Sequence, residues 1–202
     1  MFNSYHYVPI LKWKRAEQGA LGSLSANHKK ELTPLIQFVM PKQKPEDTLE
    51  KIIEKFKKQL QQIPDDVIQV WGKNPIFVDF SLLFTTELKL ESVKTILTIS
   101  KQKGALFIPV LHLSDEDEIK NAVCSLAKDN ESGFCLRLVC ADFGENLSDF
   151  EKINKEVQKL LSDYKLNQDQ VDLLVDVKEL GVDINKYDKY FEASQNIYVL
   201  QF

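Results

Sequence analysis

The chain alternates short runs of branched and aromatic residues with longer polar, amphipathic stretches, and this alternation constrains its fold more than any other feature. Seven such runs occur, at residues 8–12, 35–40, 75–80, 105–112, 134–139, 171–177 and 197–202. Several are almost continuously apolar, which is typical of strands that are covered on both faces of a parallel sheet. Their spacing of roughly 25–40 residues suits a strand, a helix and a return loop. The pattern therefore predicts an α/β protein with a parallel sheet.

Seven strands, most followed by a helix, predict a parallel (β/α) barrel of the TIM type that is one strand short of the usual eight. We expect a single barrel-like domain over residues 1–202 that is truncated before the last strand. Seven strands leave two barrel edges unpaired, so the chain should form a homo-oligomer, cover the gap with a helix or be part of a longer product. An open doubly wound sheet is the alternative, although no glycine-rich loop follows the first strand.

The clearest predicted helix starts near Asp47 and stops at Pro64. Its apolar residues recur every three or four positions and form one stripe; they are Leu49, Ile52, Ile53, Phe56 and Leu60. Further helices are predicted at residues 17–21, 25–32 and 90–101, after residue 114, from 148 or 149 to 164, and at 186–193. Gly104 is the predicted end of the third of these.

Composition excludes several function classes. The net charge is −4 and the pI is about 5.5, so nucleic-acid binding is disfavoured. No apolar run approaches the ~20 residues of a membrane span, and no signal peptide is evident, so we expect a cytoplasmic protein. Cys124, Cys135 and Cys140 lack metal-ligand spacing and are interpreted as buried thiols in a reducing compartment.

Basic residues at or inside predicted strands suggest an anion site, because the active site of a parallel barrel lies where its strands end. Lys12 and Lys14 alternate in phase with Ile10. If Ile10 faces inward, both ammonium groups share an enclosed face and need carboxylates or a bound phosphate or carboxylate. Arg137 lies within an apolar strand, which is costly without a partner. We predict that Lys12, Lys14 and Arg137 bind an anion; an exposed basic loop is the alternative for the lysines.

Titratable side chains follow the other predicted strands. Asp79, His112 and Asp176 each end a strand and are the candidates for proton transfer. Three further residues are expected to act as partners of the site: Glu17 neutralises one of the two lysines, Ser81 lies beside Asp79, and Asp142 follows the strand of Arg137. Asp79 and Asp176 are also the natural partners of Arg137, so a structural salt-bridge network is the alternative. No metal-ligand spacing, phosphate-binding loop or catalytic triad signature occurs in the sequence, so neither a metal nor a cofactor is predicted.

The opening of the chain, residues 7–14 with Glu17 and Ala20-Leu21, resembles the start of the prophage-borne beta family of proteins. Shorter similarities follow at residues 33–36, 78–81, 108–110, 136–138 and 173–176. Members of that family are typically longer, so the resemblance implies that a C-terminal part is absent here. It also implies a prophage or phage-satellite gene with a role in bacterial defence or host-killing control. It brings no established catalytic mechanism.

Two functions remain open from the sequence. The first is a binding or regulatory module of a phage-associated defence or toxin-control system, which recognises a protein of the same locus or a small anionic ligand at the barrel mouth. The second is a barrel enzyme that acts on a phosphorylated or carboxylated small molecule, with the predicted cations holding the anion. The second requires Lys12, Lys14, Asp79, Arg137 and Asp176 to surround one water-filled pocket.

Overall fold

The computed structural model describes residues 6–143 and 150–176, and it confirms the predicted α/β class. The described strands are β1 (Ile10–Lys12), β2 (Leu35–Gln37), β3 (Ile76–Asp79), β4 (Phe107–Leu111), β5 (Phe134–Val139) and β6 (Val171–Asp176). The described α-helices are α1 (Arg15–Ser23), α2 (Ala26–Lys30), α3 (Leu49–Trp71), α4 (Thr86–Lys103), α5 (Asp117–Asp129) and α6 (Phe150–Tyr164). None of these described helices combines the length and apolar character needed to cross a membrane.

The chain divides into two compact units. The first comprises Met1–Val110 together with Glu116–Gly133, and it contains α1 to α5. The second comprises Leu111–Asp115 together with Phe134–Phe202, and it contains β5, β6 and α6. The expectation of a single domain over residues 1–202 stays a prediction.

The sheet of the first unit has the strand order β1-β2-β3-β4, and every pair of neighbours is parallel. The order follows the chain without the reversal that marks the switch point of a doubly wound sheet. All four residues of β3 are buried, and so are all five residues of β4. Because strands buried on both faces are apolar throughout, these two strands were recognisable from their composition.

Helix α3 continues through Pro64, so the prediction that it ends there is wrong. Proline lacks an N–H group, and its place inside a helix costs about 3 kcal/mol. Val67 and Trp71, beyond the proline, are buried on the same helix as Phe56 and Leu60. Burying each such side chain stabilises the fold by about 1.5–3 kcal/mol, so packing of the last two turns outweighs the lost hydrogen bond.

Helix α4 begins earlier than predicted and ends where the sequence indicated. The hydroxyl of Thr85 accepts a hydrogen bond from the backbone N–H of Leu88 at 3.1 Å, which caps the first turn. Gly104 ends the helix with a φ of 64°, in the left-handed region that glycine enters without steric cost. The cap at Thr85 therefore fixes the point at which the loop after β3 joins α4.

In the second unit, β5 and β6 form a parallel pair with Arg137 aligned to Leu174 and Val139 to Asp176. β5 is buried from Phe134 to Leu138. Ile153 and Leu160 of α6 are also buried, as the predicted apolar stripe of this helix requires.

The structure describes six of the seven predicted strands, and the seventh, at residues 197–202, lies outside the described residues, as does the helix predicted at 186–193. Among the described residues, β1 pairs with β2 alone and β6 with β5 alone. A closed barrel needs a neighbour on both sides of every strand. The described strands therefore do not form a closed seven-stranded barrel, and they are compatible with an open parallel sheet.

Burial raises the pKa of the Asp172 carboxyl in β6, so the folded state holds this proton more tightly than the unfolded state does. The wild type therefore loses stability as the pH rises from about 3.8 through the raised pKa. We predict that Asp172→Asn is more stable than the wild type at pH 7 and that the two are equal near pH 3. Urea unfolding at both pH values measures the difference, with the exposed Asp169→Asn as control. An equal effect of Asp172→Asn at both pH values would contradict the prediction.

Candidate functional site

A row of polar side chains crosses the carboxyl edge of the first unit's sheet. The parallel register aligns Lys12 of β1 with Gln37 of β2, and Gln37 with Asp79 of β3. Aligned residues of neighbouring strands lie on the same face, and strands are about 4.8 Å apart, so the backbones of Lys12 and Asp79 are about 10 Å apart. We call Lys12, Gln37 and Asp79 the polar row. The sequence predicted its two ends and missed Gln37, although the one polar residue within the apolar run 35–40 was an available signal.

Asp79 is fully buried, with 0% of its surface exposed. Its Oδ1 accepts a hydrogen bond from the backbone N–H of Ser81 at 2.8 Å, and its Oδ2 accepts one from Nε2 of Gln37 at 3.4 Å. A buried carboxylate is tolerated only when donors compensate for its lost hydration. Asp79 therefore fixes the turn after β3, and the predicted neighbour Ser81 contributes its backbone to that turn.

The two lysines predicted to bind an anion are exposed, and Ile10 is 38% exposed. The expectation that Lys12 and Lys14 share an enclosed face with Ile10 is therefore wrong, because β1 has a neighbouring strand on one side only among the described residues. Glu17 is half-buried, and no described carboxylate forms an ion pair with either lysine. Among the described residues, Lys12 at one end of the polar row and Lys14 next to it thus carry positive charge that no carboxylate neutralises.

Trp13 lies between these two lysines. Its backbone N–H donates to the carbonyl of Gln37 at 3.2 Å, which holds it at the end of β1. Its indole Nε1 is buried and has no hydrogen-bond acceptor within the part of the chain that the structure describes. An unused buried donor costs about 1–3 kcal/mol, and because this N–H is buried it is not accessible to a ligand in this structure.

The second unit holds a buried ion pair between Arg137 of β5 and Asp176 of β6. Arg137 donates from Nε at 3.1 Å and from Nη2 at 2.5 Å to Oδ2 of Asp176. The two side chains are 6% and 11% exposed. Asp176 was one of the two carboxylates that the sequence offered as partners for Arg137, and it accepts hydrogen bonds from Arg137 in the structure. The pair links the middle of β5 to the carboxyl end of β6.

Other carboxylates of the second unit hold backbone turns. Oδ2 of Asp142 accepts a hydrogen bond from the backbone N–H of Val139 at 2.7 Å. Oδ2 of Asp115 accepts one from the backbone N–H of His112 at 2.8 Å, and His112 itself is buried. Short carboxylate side chains commonly cap backbone groups in this way. The sequence missed Asp115, which lies three residues after a strand end within an acidic run and was interpreted as part of a helix start.

The three cysteines were all expected to be buried, and the structure buries Cys124 and Cys135 but leaves Cys140 half-buried. Cys124 and Cys135 are buried, and burial raises the pKa of Cys124 to about 12, so its thiol is protonated and unreactive at neutral pH. Within residues 6–143 and 150–176, no group of three His, Cys, Asp or Glu side chains could hold a metal ion. The described residues that could form a functional site are therefore the polar row, the exposed Lys14 and the Arg137–Asp176 pair.

These features define an α/β protein with parallel strands whose polar residues gather at the strand ends. The family model described as Beta protein matches residues 7–198, nearly the whole chain. The chain therefore belongs to the Beta protein family, which confirms the resemblance seen in residues 7–14. A search of the curated proteins finds no match to this chain.

The burial of the Arg137–Asp176 pair predicts how much stability is lost when one partner is removed. Removing one partner of a buried pair leaves an uncompensated charge and costs about 3–5 kcal/mol, whereas an exposed pair contributes about 0–1 kcal/mol. We predict a loss of about 3–5 kcal/mol for Arg137→Met, and a smaller loss when Asp176→Leu is added. Lys57→Met is the matched control, because Lys57 and Glu91 are also 2.5 Å apart but 44% and 45% exposed. Equal losses for Arg137→Met and Lys57→Met in urea unfolding would contradict this.

Proposed function

We propose that this Beta protein is a non-catalytic binding module of a phage- or prophage-associated bacterial defence or toxin-control system. Its partner is a protein encoded at the same locus, bound at the carboxyl ends of the parallel strands. The strand order of the first unit, which follows the chain without reversal, supports a barrel-type winding in which those ends form the binding face. The proposal places the protein in the cytoplasm and requires neither a cofactor nor a metal.

The observation that carries the proposal is the buried Arg137–Asp176 pair. An anion-binding arginine must reach its ligand, but this guanidinium directs two N–H groups to one carboxylate and is 6% exposed. A general acid or base must likewise lie within hydrogen-bond reach of substrate. Asp79 and Asp142 accept hydrogen bonds from backbone turns instead. Most of these charged side chains at the strand ends thus form hydrogen bonds within the protein, which favours a binding function over catalysis.

A small anionic ligand, and with it an enzyme of phosphorylated or carboxylated substrates, is the second candidate. One observation favours it: Lys12 and Lys14 are exposed and have no described carboxylate partner. Two such cations could together bind a phosphate or a carboxylate.

A thermal-shift screen separates the two candidates. The probes are inorganic phosphate, nucleotides, phosphosugars and dicarboxylates, applied to the wild type and to a Lys12→Ala/Lys14→Ala variant. A ligand at 100 times its Kd stabilises by about 2.7 kcal/mol, which is about 5–10 °C in Tm for a chain of this size. We predict no shift with any probe. A shift of that size in the wild type that disappears in the variant would support the anionic ligand and overturn the proposal.

The defence role has its own test. We predict that expressing the chain with its neighbouring genes in a bacterial host lowers the plating efficiency of at least one phage or suppresses a toxin of the same locus. Lys12→Glu/Lys14→Glu should weaken that effect while the protein level stays constant, because the charges lie on the exposed binding face. Exposed Lys51→Glu is the control. No difference from an empty vector across a panel of phages, with every neighbouring toxin still active, would contradict the defence role.

A further inference from the structure

The loop between β3 and α4 presents two large apolar side chains to solvent. Leu82 is 46% exposed and Phe84 is 51% exposed. Single exposed apolar residues are ordinary, whereas aromatic side chains such as Phe are enriched at the cores of protein interfaces. The loop follows the carboxyl end of β3, where the polar row lies.

This loop is anchored to the fold on both sides of the exposed residues. The backbone N–H of Ser81 donates to Asp79, and the backbone N–H of Leu83 donates to the carbonyl of Phe80 at 3.0 Å. Leu83 is buried, so the side chain between the two exposed residues holds the loop to the core. Phe80 also packs on Phe38 with ring centroids 5.1 Å apart. Because the loop is already ordered, binding through it would lose little conformational entropy.

Positive charge lies at the same edge of the sheet. Lys12 ends β1, Lys14 and Arg15 follow it, and all three are exposed. None of the three forms an ion pair within the part of the chain that is described. The carboxyl ends of parallel strands meet at one edge, and β1 is separated from β3 by one strand, so the cations lie near the loop. Exposed apolar side chains and cations without a described ion-pair partner thus lie at the same edge of the sheet.

We infer that Leu82, Phe84, Lys12, Lys14 and Arg15 form a docking surface for an acidic protein segment that carries apolar side chains. Charge complementarity selects an acidic partner and steers its approach, while the two apolar side chains provide most of the affinity. This inference rests on the proposed binding function and specifies the surface and the partner's chemistry. A basic partner would meet three like charges, and a purely polar partner would leave Leu82 and Phe84 exposed.

A displayed library of random 12-residue peptides, selected against the full chain, tests the inference. The selected peptides are synthesised, and their affinity is measured by fluorescence anisotropy against four proteins: the wild type, Leu82→Ser/Phe84→Ser, Lys12→Glu/Lys14→Glu, and a control, Leu49→Ser/Lys51→Glu. The control changes a leucine that is 56% exposed and an exposed lysine on α3. Since every substituted residue is exposed, all four proteins should have similar Tm values.

We expect the selected peptides to combine acidic with apolar residues. Their affinity should fall by about 30-fold or more in Leu82→Ser/Phe84→Ser, and should fall in Lys12→Glu/Lys14→Glu with a loss of salt dependence. The control should bind within about twofold of the wild type.

Peptides that bind all four proteins equally would overturn this docking surface while leaving the binding function in place. An absence of selected peptides, together with a small anion that stabilises the chain through Lys12 and Lys14, would overturn both. A single-stranded oligonucleotide that binds the wild type but not Lys12→Glu/Lys14→Glu would assign the cations to nucleic acid and overturn the acidic-peptide partner.

Discussion

The buried carboxylate of Asp79 determines the geometry of the first unit's carboxyl edge. It ends a strand that is buried at every residue, and an ionisable group in that position must find donors within the protein. The side chain of Gln37 provides one donor and the backbone of Ser81 provides another. The first contact ties β2 to β3 at their ends, and the second turns the chain out of the sheet. The exposed positions of Leu82 and Phe84 follow from that turn.

The second unit also contains a buried ionisable side chain, and there an ion pair compensates for its lost hydration. Arg137 lies in a strand that is otherwise apolar, and Asp176 on the neighbouring strand neutralises it in a site with little access to water. Such a pair is a weak source of net stability, but breaking it is expensive, so it strongly favours one arrangement of the two strands. In both units, charge at the strand ends maintains the fold. Unpaired described cations at the end of β1 and exposed apolar side chains after β3 remain at the carboxyl edge of the first unit's sheet, which is why the proposed function is recognition.

The sequence predicted several of these features from local patterns. The apolar runs located all six described strands, because parallel strands buried on both faces need apolar residues throughout. It also identified Asp176 as one of two partners for Arg137, since an arginine inside a strand must be neutralised. It did not show that Asp176 accepts hydrogen bonds from Arg137, because strand register and side-chain reach decide that contact. It likewise ended α3 at Pro64, because the packing that stabilises Val67 and Trp71 beyond the proline is a tertiary effect.

The sequence by itself therefore determined the α/β class, the positions of the strands and the family of the protein, all of which depend on residue type and spacing along the chain. Tertiary structure decided which polar residues are exposed and can bind a partner. It enclosed Asp79 and Arg137, recruited Gln37 and Asp115 as hydrogen-bond partners, and left Lys12 and Lys14 exposed at an edge strand. Burial is a property of the surroundings that other segments create, so no local pattern could show which strand-end charges maintain the fold and which remain free to bind.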